Sequence, residues 1–212
     1  MRIPLVVLAA ALMPSELSAQ ALRPFGSASL VTARVRSEVP AGTDQFTGSA
    51  FLGQGALAMG RVQLRVSYLQ GTLNRDGGTA AARDLVEGTV LLGFRALDWL
   101  TLEIGPHARA YTLAGSGTQR WLFWELRVRA ARPFIGSAVQ GYAELWRAVA
   151  ADANVPEPFD HAQGGEAGMI VRLARAPFEG RLGYRIDHAV LGGGTRLETV
   201  DGVVIGVGLS WR

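Results

Sequence analysis

Residues 202–212 read GVVIGVGLSWR. Val203, Ile205, Val207, Leu209 and Trp211 fall on every second position, and Gly202, Val204, Gly206, Gly208 and Ser210 between them are mostly small. Successive side chains of an extended chain point to opposite faces, so this period of two is a strand with one wide apolar face and one thin face. The stretch ends on an aromatic residue and an arginine. A last strand of this kind closes a membrane β-barrel by pairing with the first, which leaves no unpaired backbone edge in lipid. The thin face is expected to point inward, with long side chains from facing strands, Arg127 and Arg129 among them, leaning toward it.

The same alternation runs back along the chain. Strands are predicted at 27–36, 46–58, 61–73, 84–95, 100–113, 119–131, 135–149, 163–175 and 178–190, with the last from about 197. In the first, Val31, Ala33 and Val35 oppose Thr32, Arg34 and Arg36; in the sixth, Leu122, Trp124, Leu126 and Val128 oppose Glu125, Arg127 and Arg129. The second run is rich in glycine, and if it fails the count falls from ten to eight. Connections at 59–60, 96–98, 132–133 and 176–177 are tight, whereas 37–45, 74–83, 114–118, 150–162 and 191–195 are longer and carry Gly, Pro, Asp and Asn. The fold class is therefore all-β, an antiparallel up-and-down transmembrane barrel of about ten strands, with tight turns on one side and longer loops on the other. If both ends of the mature chain lie in the periplasm, the tight turns are periplasmic and the longer loops extracellular.

A chain of 212 residues is by default one domain. Beyond the start of the chain no apolar run approaches the roughly 20 residues a membrane helix needs. With no cysteine there is no disulfide framework, thiolate metal site or thiol nucleophile. All 21 basic residues are arginine. Arginine suits bidentate pairing with carboxylates in a confined interior, although codon bias in a GC-rich genome gives the same composition. The net charge of +3, with no basic cluster interleaved with aromatics, excludes nucleic acid as a partner.

The first residues, MRIPLVVLAAALMPSELSAQA, set Arg2 before an apolar core and end on Ala19-Gln20-Ala21. Residues 1–21 are expected to be a secretory signal peptide, cut after Ala19 or Ala21, and 22–212 the barrel domain. Leader, amphipathic strands and terminal aromatic strand together resemble the small bacterial outer-membrane barrels of OmpA, OmpX and opacity type. The resemblance is one of pattern over nearly all of the mature chain. It implies a place in the outer membrane, and a last strand read by the barrel-assembly machinery. In that superfamily the aromatic is usually final; here Arg212 follows Trp211.

A charge facing lipid at the midplane costs about 2–4 kcal/mol, so the charged faces should line the lumen. That set is Arg34, Arg61, Arg65, Glu87, Arg95, Glu103, Arg109, Glu125, Arg127, Arg129, Glu144, Glu166, Arg172, Arg181, Arg185 and Asp187. His107 shares the face of Glu103 and Arg109 and is expected to meet Glu125 or Glu144 in a hydrogen-bonded network. Trp99, Trp121, Trp146 and Trp211, with Tyr68, Tyr111 and Phe178, are expected in interfacial girdles near strand ends, and Trp124 and Phe94 as lipid-facing bulk.

Ten-stranded omptin proteases set acidic residues and an Asp/His pair at the rim. Asp160-His161 and Asp187-His188 are adjacent pairs, so on a regular strand their members face opposite ways. No acidic pair matches the omptin pattern well, and no His-x-Ser arrangement matches that of lipid A deacylases. The expected function is a non-enzymatic structural or surface-interacting barrel with a charge-filled lumen, no catalytic residue, no metal and no cofactor, and outer-membrane lipid as its surroundings. The alternatives are a narrow porin-like channel, an outer-membrane hydrolase of omptin or lipid-A-modifying type, and a secreted soluble β-protein.

Overall fold

Alternating side chains produce long strands that wrap into a cylinder. A computed structural model describes residues 22–77, 82–113, 117–173 and 176–210. In order they form β1 (Arg23–Val39), β2 (Gly42–Met59), β3 (Val62–Arg75), β4 (Arg83–Leu97), β5 (Leu100–Leu113), β6 (Gly117–Ile135), β7 (Val139–Ala153), β8 (Phe159–Arg172), β9 (Phe178–Leu191) and β10 (Arg196–Ser210). Each strand pairs antiparallel with its sequence neighbours, and β10 pairs with β1 to close the barrel. The glycine-rich β2 pairs with β1 and β3 along most of its 18 residues, which excludes the eight-stranded alternative. The leader predicted at 1–21 lies outside the described residues.

Two rims follow from the topology. The terminal rim carries Arg23, the end of β10 and the β2–β3, β4–β5, β6–β7 and β8–β9 connections; the distal rim carries the other five. Two of the longer distal loops expected from sequence, those at 37–45 and 150–162, are shorter than expected. β1 runs on to Val39 and β2 begins at Gly42, so the first loop is a turn at Pro40-Ala41; β7 runs to Ala153 and β8 begins at Phe159. Polar residues there pair across strands instead of looping out. In the β3–β4 turn, Asp76 accepts hydrogen bonds from Gln45 Nε2 at 2.5 Å and Thr47 Oγ1 at 2.6 Å, which lower its carboxyl pKa below the ordinary value.

The outer wall carries an apolar band. Leu64, Val66, Leu92, Phe94, Leu102, Ile104, Trp124, Leu126, Val171, Leu182, Ile205 and Val207 are all exposed on it. In water this pattern would be unfavourable, and in lipid it is the ordinary surface of a transmembrane barrel. The thin face of β10, Gly202, Val204, Gly206 and Gly208, points into the barrel. Its glycines are required by close packing: a Cβ on Gly206 would collide with Ser29, and one on Gly202 with the Thr32 carbonyl.

One strand departs from the expected phase. On β1 the apolar residues Val31, Ala33 and Val35 are buried in the lumen, while Leu30, Thr32 and Arg34 face outward. The lumen beside β1 is filled largely by apolar side chains, so polarity alone points to the wrong face there.

Candidate functional site

The cross-strand register sets opposite charges side by side on the inner wall. Glu87 lies opposite Arg109, Glu103 opposite Arg127, Arg129 opposite Glu144, and Glu166 opposite Arg185. Such pairs are the unit of sheet stabilisation, and in a narrow lumen they also reach across it. Glu144 accepts Arg65 Nη1 at 3.0 Å and Arg127 Nη1 at 3.0 Å, and Arg129 Nε lies 3.3 Å away. Arg65 also pairs with Glu103, which accepts Gln63 Nε2 at 2.7 Å. Arg127 Nη2 lies 2.7 Å from Glu125, whose other oxygen is 3.1 Å from His107 Nδ1.

The network continues toward the distal side. Glu87 accepts Arg109 Nε at 2.7 Å and Arg185 Nη2 at 2.9 Å. Asp187 accepts Arg109 Nη2 at 2.7 Å, Arg185 Nη2 at 2.5 Å and the indole nitrogen of Trp146 at 2.7 Å. Beside it, Arg181 and Tyr142 both donate to Glu166 at 2.5 Å. Tyr142 fits there because Gly183 has no Cβ to collide with its hydroxyl. Arg65, Arg109, Arg127, Arg129, Arg181 and Arg185 thus face Glu87, Glu103, Glu125, Glu144, Glu166 and Asp187, six against six. A cavity of about 40 Å³ lies inside the network, room for a few water molecules.

Distal to the charges lies an apolar layer. His107, 2% exposed, stands edge-on to Phe123 and Trp146, with ring centroids 5.5 and 5.6 Å away. Phe123 in turn packs against Trp121 and Phe159, and Leu73, Leu85, Tyr111 and Leu191 complete the fill. The Arg83 guanidinium lies 4.1 Å above the Phe46 ring. Nearby, Glu198 accepts Ser37 Oγ at 2.8 Å and Arg196 Nη2 at 2.6 Å. None of Phe46, Arg83, Phe123, Glu179, Arg196 and Glu198 was assigned to the lumen from sequence. For Phe123 and Glu179 the signal was present, since they share the phase of Glu125 and Arg181.

Several expected positions are corrected. Trp121 and Trp146, at 2% and 6% exposure, are lumen residues and not girdle residues, and Tyr111 is buried with them. Trp121 keeps step with Glu125, and Trp146 with Glu144, so alternation carries both inward. Trp99 is 39% exposed at the terminal rim with the Arg132 guanidinium 5.3 Å from its ring, and Tyr68 and Phe178 are also exposed. Trp211 lies outside the described residues.

Arg61 sits in the exposed β2–β3 turn. Arg95 and Arg172 line the terminal mouth rather than the network, with Arg172 Nε 3.4 Å from Glu179. Arg127 and Arg129 engage Glu144 rather than lean on β10. Arg34 faces outward, where its Nε and Nη2 bind Asp201 at 2.8 and 2.5 Å and Tyr184 donates to the same carboxylate at 2.8 Å. Among the described residues no group of three or more His, Asp or Glu is placed to hold a metal.

No protein-family model and no curated protein matches the sequence. Among solved structures, the chain is similar to the outer membrane protease OmpT from Escherichia coli, with a TM-score of 0.62 and 6% identity over 90% of this chain and 96% of that one. It also matches Neisserial surface protein A (TM-score 0.40, 9% identity, 89% and 97% covered) and the attachment invasion locus protein Ail of Yersinia pestis (TM-score 0.36, 13% identity, 88% and 98% covered). The likeness to OmpT is one of fold.

Proposed function

We propose that this chain is an integral outer-membrane protein with a closed lumen, non-enzymatic, acting through its outer and rim surfaces. Both termini face the periplasm, the leader is removed during export, and the last strand is the segment the barrel-assembly machinery engages. The single observation that carries the reading is the paired layer inside the barrel. The balanced ion network and the aromatic layer above it fill the bore, with about 40 Å³ left in the network. An unpaired buried charge is costly, so the matched set of six arginines and six carboxylates favours a permanent plug over a solute path.

The arrangement also speaks against catalysis in the lumen. His107 is the histidine that faces inward, and it lies beneath Phe123 and Trp146 where a substrate has no approach. His188 faces outward with Nδ1 3.1 Å from Thr199 Oγ1, while its neighbour Asp187 faces in. Expression of the full chain followed by membrane fractionation tests the reading. The outer-membrane fraction should contain a protein that migrates faster on a gel unheated than boiled. Recovery as a soluble periplasmic protein would overturn the proposal.

A further inference from the structure

The lumen is neutral in its middle but not at its terminal mouth. Below the six-against-six network lies a cavity of about 650 Å³ opening at the terminal rim, within the size range of small-ligand sites. Its walls add Arg23, Arg95 and Arg172 to the arginines of the network, against Glu179 alone, and Glu179 is taken by Arg172. Neither Arg23 nor Arg95 forms an ion pair among the described residues. The register fixes a further feature. Arg95 lies opposite Thr101 and Thr101 opposite Arg129, so the two arginines occupy one row across β4, β5 and β6. Strands about 4.8 Å apart put their backbones roughly 10 Å from each other, close enough for two guanidinium groups to converge on one ligand. Arg129 meets its carboxylate through Nε at 3.3 Å, and its terminal nitrogens make no hydrogen bond among the described residues.

We propose that this mouth is a binding site for a small multivalent oxyanion of the phosphate or phosphate-ester class, taken from the water at the terminal rim. The cavity opens at the terminal rim, so the ligand is drawn from the water there, and micelles without anionic headgroups test it as a free solute. Arg23 and Arg95, which form no ion pair among the described residues, supply the charge complement of a doubly charged phosphate, the free terminal nitrogens of Arg129 add donors, and the planar N–H fork suits paired oxygen acceptors. The network above it is already neutral, so the anion stops at the mouth and does not pass through.

Calorimetric titration of inorganic pyrophosphate into the full-length protein in zwitterionic micelles, at low ionic strength, tests the site. Saturable binding of one anion per chain is expected. Arg95→Gln should weaken it at least tenfold, whereas Arg120→Gln, on the outer wall near the other rim, should leave it unchanged. Arg95 makes no ion pair among the described residues, so its variant should still show heat-modifiable migration, which is checked first. No saturable heat in the parent protein, or equal affinity in Arg95→Gln, overturns the proposal. Either failure leaves the closed-barrel reading standing, because that reading rests on the layers above the cavity.

Discussion

Arg65 on β3 and Glu144 on β7 join across the lumen, with Nη1 3.0 Å from Oε1 and Nη2 3.1 Å from Oε2. The two strands are not neighbours in the barrel, so the pair ties separate walls together. Glu144 also holds Arg127 and Arg129. Glu144→Gln leaves three guanidinium groups short of a counter-charge in a buried site. The expected loss is about 3–5 kcal/mol, read as a lower urea midpoint of unfolding in micelles or vesicles. A loss under about 1 kcal/mol would mean the network is wetter than its burial implies.

The tryptophans divide into two sets by phase. Trp99 at the terminal rim and Trp124 on the outer wall are exposed, at 39% and 50%, while Trp121 and Trp146 lie in the lumen. In single-tryptophan variants reconstituted with brominated lipid, the fluorescence of Trp124 should be quenched strongly and that of Trp121 and Trp146 hardly at all. Trp146→Phe should shift the stability as well, since it removes the donor to Asp187, by about 1–3 kcal/mol.

Leu126 lies on the outer apolar band. Leu126→Arg should cost about 2–4 kcal/mol in bilayers and Thr112→Arg, toward the distal rim, about 0–1 kcal/mol. Folding equilibria in vesicles measure both. Equal, small costs at the two positions would show that water, not lipid, surrounds the band.

The outward pair of Arg34 and Asp201 should couple. Asp201 is buried against Tyr184, while Arg34 is about half exposed. A double-mutant cycle with Arg34→Gln and Asp201→Asn should give about 1 kcal/mol, the upper part of the range for partly exposed pairs.

Much of this was legible from residue order alone. Alternation located all ten strands, and it put Glu103, Arg109, Glu125 and Arg127 on a common face because lipid penalises charge on the other. The same rule misled on β1. There Arg34 is neutralised by Asp201 on the outer face, and the lumen beside it is filled by Val31 and Val35. Trp121 and Trp146 lie near the ends of the strands predicted from sequence, where girdles sit, but the phase they share with Glu125 and Glu144 decides their face. Pairing across the bore, as between Arg65 and Glu144, had no signal in the sequence, since it depends on how the closed sheet brings distant strands face to face. The unmatched arginines of the mouth were hidden for the same reason: composition shows an excess of +3 but not where it gathers.

The central claim is that the bore is shut by its own side chains. Single-channel recording of the refolded full-length protein in a planar bilayer tests it most directly. A silent membrane at moderate voltage, with insertion verified by heat-modifiable migration of the same sample, is the predicted result. Stable, reproducible conductance steps would contradict it.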